Sequence, residues 1–383
     1  MWPYVIFFVV SIFAIIYCDI CKKIRYRKCL FYLLLIYSIL LSGLRYRVGL
    51  DTLNYMLFYG DIPDLNTLSW EDFSNYSLQP FYLLLCALAK TISPEFYVFQ
   101  FIHALIVNSI FFGFIKRYTS HPFWGIFLYF YIYYGYFNFE ILKESLAISM
   151  FLLAFPYFVE RKWLKYYLIV VLALMFHLSA VILFFIPLIR DLKFNRNYLL
   201  LLLLLGGFFA FVYYFTDFSS LLTFSEVVNE KIDAYQNNMG RFNWLWMATQ
   251  LFPILILPLL LLWYCKYVNR ELDLYENMLC FRIIIGIGAF FFQLVFLRFA
   301  NYTSPFLLLI LTDIIGRITQ KCRANTFLVS AFCLLISLVY FLIPLMLPAA
   351  RGRAYNQWVP YYSIFDPQKD AVRESMWENH FVY

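Results

Sequence analysis

The sequence is poor in charge. Asp, Glu, Lys and Arg make up only 14% of its 383 residues, against about 25% in a soluble domain. No polar stretch is long enough to fold as a separate soluble domain, so a single integral membrane domain over residues 1–383 is expected. Histidine is scarcer still, with four in the chain, His103, His121, His177 and His380, too scattered to ligate one zinc ion. There is no Walker loop, no GxGxxG and no HExxH. These absences exclude a nucleotide-driven motor, a dinucleotide enzyme and a zinc hydrolase of the usual patterns. A metal-dependent sugar transferase would want a DxD pair, and the nearest approach is Asp61-Ile-Pro-Asp64. No metal and no cofactor are expected.

Cysteine is present eight times but without a framework. Cys18 and Cys21 form a CxxC at the edge of an apolar run, with no second pair to complete a metal site. The net charge of +7 is not a nucleic-acid footprint, because most of it sits in short clusters beside apolar runs. The positive-inside bias accounts for that placement.

What the chain has in abundance is apolar surface: 63% hydrophobic and 23% aromatic residues, with a mean hydropathy of +0.72. Runs of about 20 apolar residues recur, the length a helix needs to cross a bilayer. The expected fold class is an all-α polytopic membrane protein. Basic clusters at Lys22–Lys28, Lys116–Arg117, Arg161–Lys165, Arg190–Arg196 and Arg317–Arg323, with a weaker one at Lys266–Arg270, belong on the cytoplasmic side. Alternation between them predicts about twelve membrane helices, near 3–20, 29–45, 95–115, 122–137, 139–159, 163–176, 178–190, 198–216, 242–265, 277–298, 301–317 and 326–348. Both termini then lie outside. The first apolar run precedes its basic cluster, the reverse of a secretory signal, so an uncleaved first helix is expected.

Two stretches need special treatment. The run at 78–91 is too short to span and is expected to be interfacial or re-entrant. The stretch 163–190 is basic at both ends and is expected to be a hairpin of two short helices turning at His177. Such a break belongs where it lines a cavity or is buried in protein. Three extracytoplasmic segments remain: 45–77, 217–241 and 349–383, the last expected to form a folded aromatic flap.

Removing the cytoplasmic clusters leaves Arg45, Arg47, Lys143, His177, Arg241 and Arg298 on or facing the outer side. Outer-face cations run against the usual bias and suit an anion held at headgroup level, such as a lipid-linked diphosphate. Asp51 and Tyr55 follow the first two at i, i+4 spacing, as Tyr302 follows Arg298. His177 is expected to take the proton of an attacking sugar hydroxyl. Tyr and Trp in 349–383 offer a stacking surface for sugars.

At these residues the chain resembles the EpsG family of bacterial polysaccharide polymerases, relatives in function of the Wzy O-antigen polymerases. The matching elements are Arg45, Gly49, Asp51 and Tyr55; Gln79-Pro80-Phe81-Tyr82; Glu140, Lys143, Glu144 and Ala147; Phe176, His177, Ser179 and Ala180; and Arg298 with Tyr302. Lys143 stands where the family pattern has Arg, Glu144 where it has Gln, and Gln79 where it has an acid. The resemblance implies a bundle similar to the GT-C-like glycosyltransferases. It implies joining of undecaprenyl-diphosphate-linked repeat units on the outer face of a bacterial inner membrane, for O-antigen, capsule or exopolysaccharide. His177 and Asp51 would be catalytic; Arg45, Arg47, Tyr55, Lys143, Arg298 and Tyr302 would bind diphosphate and sugar. The implied partners are the lipid-linked donor and acceptor, the bilayer, and a chain-length regulator and flippase of the same pathway. An O-antigen or wall-polymer ligase uses the same donor with another acceptor. A lipid-linked oligosaccharide flippase would instead favour paired repeats and a charged path through the bundle.

Overall fold

The computed structural model describes residues 2–76, 78–215, 251–267, 275–321, 325–346, 358–367 and 371. Among them it is helical, with two isolated antiparallel bridges, Arg45 to Ser363 and Ser363 to Asp366. The helices, in chain order, are α1 (Trp2–Ala14), α2 (Arg27–Gly43), α3 (Leu50–Asp61), α4 (Asp72–Asn75), α5 (Pro80–Ile92), α6 (Phe96–Tyr118) and α7 (Pro122–Tyr129). They continue as α8 (Leu142–Val159), α9 (Trp163–Leu174), α10 (Arg196–Phe215), α11 (Leu257–Tyr267), α12 (Glu276–Phe291), α13 (Gln293–Lys321) and α14 (Thr326–Met346). Five helical stretches among the described residues are long and apolar enough to cross a membrane: Trp2–Ile20, Phe96–Tyr118, Leu142–Val159, Arg196–Phe215 and Val295–Lys321. The chain is thus a multi-pass membrane protein. The expected segment 217–241, Arg241 and most of 349–383 lie outside the described residues.

The chain divides into two compact units, Met1–Val181 with Leu308–Tyr383, and Ile182–Leu307. In the first, α6 is central. It meets α2 closely enough that a Cβ on Gly43 would lie 2.7 Å from the Phe101 ring. On another side His103 Nε2 lies 2.9 Å from Ser145 Oγ of α8, and Phe114 packs on Phe155. In the second unit, Tyr198 of α10 donates to Cys280 O of α12 at 2.8 Å. Most of the rest of the α10 surface is exposed, with Leu199, Leu203, Phe208 and Tyr214 among it. An apolar flank of that extent belongs against lipid.

Three features shape the ground around the candidate site. First, α7 runs on into two π-helical segments, Phe130–Tyr134 and Tyr136–Glu140, and the helix breaks at Ile141. The wider turn lets an aromatic run stack on both sides, Phe7 on Phe130 at 3.6 Å and Tyr133 on Phe137 at 5.5 Å. π-Helical insertions of this kind concentrate at functional sites. Second, the loop after α3 is tied down. Lys90 Nζ donates to the carbonyls of Tyr59, Gly60 and Ile62, which satisfies the end of α3. Asp64, one half of the nearest acid pair, accepts from Asn66 N, Thr67 N and Thr67 Oγ1, which holds its carboxyl below the usual range. It is a turn former here.

Third, α9 ends at Leu174, and a 3₁₀ helix begins at Leu178 and runs to Ile189. The chain therefore breaks at residues 175–177, where the charge pattern places a turn.

Candidate active site

Of the elements that carry the family resemblance, those between residues 45 and 180 lie in the first unit, where contacts link them to one another. Asp51 N donates to Glu140 Oε2 at 3.1 Å, and Thr52 Oγ1 donates to Phe139 O at 3.2 Å. Tyr55 and Tyr82 are ring neighbours at 6.3 Å, and Lys143 Nζ lies 5.6 Å from the centre of the Tyr82 ring. Phe81 N donates to Met175 O at 3.0 Å, and its ring meets that of Phe176 edge-on at 5.8 Å. The start of α3, the end of the π-helical run, the start of α5, the start of α8 and the break at His177 are thereby linked.

Arg45 was expected to bind diphosphate, and its guanidinium is turned into the protein. Its side chain is fully buried. Nε donates to Val48 O at 3.1 Å, one terminal nitrogen donates to Ser42 O, the other to Thr52 Oγ1 at 3.5 Å, and the guanidinium lies over the Phe139 ring. Gln100 Nε2 reinforces the same turn through Gly43 O and Arg45 O. Arg45 therefore shapes the loop that presents Arg47 and Asp51. Arg47 has a left-handed backbone, φ 48°, and lies half-buried with its guanidinium over Tyr46.

Gly49 makes that loop possible. Its φ is 106°, and a Cβ there would lie 2.8 Å from Thr52 Oγ1 and 2.9 Å from Phe139 Cβ. Gly49→Ala is expected to lower stability by more than about 1 kcal/mol, since both backbone and space oppose the methyl group. Thermal unfolding of the solubilised protein measures this, and a melting point equal to wild type would show the turn to be slack.

The described part of the C-terminal segment docks on the same loop. Tyr46 N donates to Tyr362 O at 2.8 Å and Ile364 N to Leu44 O at 2.9 Å. Trp358 Nε1 donates to Glu140 Oε1 at 3.2 Å, and Tyr4 Oη donates to Trp358 O at 2.8 Å. The aromatic end of the chain thus forms part of the wall, and it meets the beginning of α1 there.

His177 is half-buried. Its Nδ1 lies 2.6 Å from Ser179 Oγ and accepts from Ser179 N at 3.2 Å. A backbone N–H can only donate, so Nδ1 carries the lone pair and a neutral ring holds its proton on Nε2. The sequence pattern alone suggests a base; this hydrogen bonding makes Nε2 a donor.

Arg298 and Tyr302 belong to the second unit. Tyr302 is fully buried and Arg298 half-buried. One residue of this region went unnoticed in the sequence: Arg282, buried within α12. Its Nε donates to Pro253 O at 2.9 Å, and a terminal nitrogen reaches Ala300 O, Thr303 Oγ1 and Ser304 Oγ at 2.8, 2.8 and 3.2 Å. Those residues flank Tyr302, so Arg282 fixes the turn carrying the Arg298–Tyr302 pair. The signal was the charge itself inside an apolar run. Glu140 is the other underrated residue, since it first reads only as a neighbour of Lys143.

The fold defines a multi-pass helical membrane protein in which loops and helix starts bearing cations are linked beside an aromatic segment, a setting that suits an anionic substrate. Comparison with protein families agrees: the model described as the EpsG family matches residues 28–363, most of the chain, and the protein belongs to that family of Wzy-type polysaccharide polymerases. No curated protein and no solved structure matches it significantly.

Proposed function

We propose that this polysaccharide polymerase joins polyprenyl-diphosphate-linked oligosaccharide repeat units at the outer face of a bacterial cytoplasmic membrane. The observation that carries the proposal is the set of contacts that join the elements bearing Asp51, Tyr55, Tyr82, Lys143 and His177, with Arg47 in the adjoining loop, beside the docked C-terminal segment. Cationic and donor groups there suit the departing diphosphate, and the aromatic rings suit sugar faces.

In the reaction, the acceptor hydroxyl oxygen bonds to the anomeric carbon of the donor sugar while the bond from that carbon to the diphosphate oxygen breaks. Polyprenyl diphosphate leaves with the electron pair. The hydroxyl proton passes to a base, the role we give Asp51, whose loop is anchored through its N–H to Glu140. Arg47 and Lys143 offset the charge growing on the leaving group, and His177 donates to it through Nε2. Arg45 and Arg282 are positioning residues, each holding a loop or turn that carries a binding residue. Arg298 and Tyr302 are the donor-binding residues of the second unit.

The test is mass spectrometry of gently extracted protein for retained polyprenyl diphosphate, paired with a gel of polymer chain lengths in cells. Wild type should retain the lipid and make long chains. Arg298→Lys keeps the charge and loses the two-pronged fork, so it is expected to melt like wild type yet retain at least about tenfold less lipid and make short chains. Full retention by that variant would remove Arg298 from the site. Lipid release without a ladder of chain lengths would indicate a ligase; transbilayer movement without release would indicate a transporter.

A further inference from the structure

The first unit has a second polar feature far from these linked elements. Tyr4, near the beginning of α1, touches Trp358 at the candidate active site. Lys22 lies just past the other end, beyond the π-helical extension Ile15–Ile20, roughly 25 Å away at 1.5 Å per residue. There a cavity of about 540 Å³ is lined by Ile20, Lys22, Arg317, Gln320 and Lys321. Three cations and no acid face it.

This convergence asks for an explanation beyond a general bias. The positive-inside rule accounts for basic residues at this end but not for their collecting around one hollow from positions 22 and 317–321. Arg317 and Lys321 stand at i, i+4 on α13, where like charges repel. Lys22 reaches its place with a left-handed backbone, φ 54°, a conformation unfavourable for a residue with a side chain. The neighbouring acids do not neutralise the three. Asp19 accepts from Trp124 N at 2.9 Å, and Asp313 accepts from Thr119 Oγ1 at 2.6 Å. Among the described residues, Lys22, Arg317 and Lys321 form no ion pair. Gln320 Nε2 donates to Asp19 O at 2.7 Å and so ties α13 to the end of the first helical stretch beside the cavity.

We propose that this cavity binds a phosphate group, with Arg317 as the two-pronged donor and Lys22 and Lys321 as flanking charges. Basic pockets between membrane helices on the cytoplasmic side are suited to anionic lipid headgroups, and a free phosphate compound offers the same chemistry. A resident phosphate would offset the mutual repulsion and the backbone strain at Lys22, so it acts as a clamp between the first helix and α13.

The experiment uses the full chain, delipidated in neutral detergent and examined by native mass spectrometry and thermal unfolding. Dioleoyl phosphatidylglycerol, dioleoyl phosphatidylcholine and inorganic pyrophosphate are added separately. The expected result is binding of phosphatidylglycerol over phosphatidylcholine with a raised melting temperature. K22Q/R317Q/K321Q should weaken that binding about a hundredfold, at about a factor of five per neutralised cation. R161Q/K162Q/K165Q, a charge-matched control in another basic loop, should leave it unchanged. Pyrophosphate that binds alone and displaces the lipid would identify a free phosphate compound as the natural source; pyrophosphate without effect would identify the lipid. Equal binding of the two lipids with no pyrophosphate binding overturns the proposal. So does an equal loss in the control variant, which would assign the effect to net charge.

Discussion

Arg45→Lys is expected to lower the stability of the solubilised protein by on the order of 3 kcal/mol and to abolish long-chain polymer. The guanidinium is fully buried and supplies donors to Ser42 O, Val48 O and Thr52 Oγ1 at once. An ammonium group on a straight stem reaches one of these and leaves the others without a charged donor, each worth about 1.5–3 kcal/mol. The loop that it organises carries Gly49 and Asp51, so loss of structure and loss of function should come together. Thermal unfolding in detergent and a chain-length gel on the same preparation decide the matter. A wild-type melting point with lost polymer would give Arg45 back the role of an anion ligand, since only then would the residue act on substrate and not on the loop.

The contrast between Arg45 and its expected role shows where sequence reasoning stops. A cation at the outer end of an apolar run is readable as unusual, because the positive-inside bias forbids treating it as ordinary. What the guanidinium meets is decided in three dimensions, and in two buried cases, Arg45 and Arg282, it meets backbone carbonyls. The break at His177 was legible for the opposite reason: basic residues flanking a 28-residue apolar stretch leave no consistent alternation without a turn. The order of helices follows from apolar run lengths in the same way. The π-helical run Phe130–Glu140 was not legible, since its registers follow no 3.6-residue period and seven of its eleven residues are aromatic. Nor was Glu140 visible as a hub, because its partners Asp51 and Trp358 are 89 and 218 residues away in the chain. The aromatic, amphipathic composition of 349–383 leads one to expect a folded segment, and the described residues 358–367 dock on residues 44–46.

The second large effect is expected at His177, and two substitutions separate its possible roles. Nδ1 accepts from Ser179 N and contacts Ser179 Oγ, so the ring has one nitrogen committed to the local turn and one carrying the proton. Asn places an acceptor near the position of Nδ1 and nothing at Nε2, so His177→Asn preserves the turn and removes the donor. Gln places an amide N–H2 near Nε2, so His177→Gln preserves a donor that has no basic lone pair. If His177 stabilises the departing diphosphate by donation, His177→Asn should lose about 10²- to 10³-fold in turnover while His177→Gln keeps much of it. Both variants should retain bound lipid-linked donor, because Arg47, Lys143 and Arg298 are untouched. A base working through Nε2 predicts instead that both variants fail alike, and a purely structural histidine predicts that His177→Asn works like wild type. Initial rates of chain growth at saturating donor, measured beside donor retention, distinguish the three. Equal failure of both would move the proton-accepting role from Asp51 to His177, and with it the direction in which the acceptor sugar must approach.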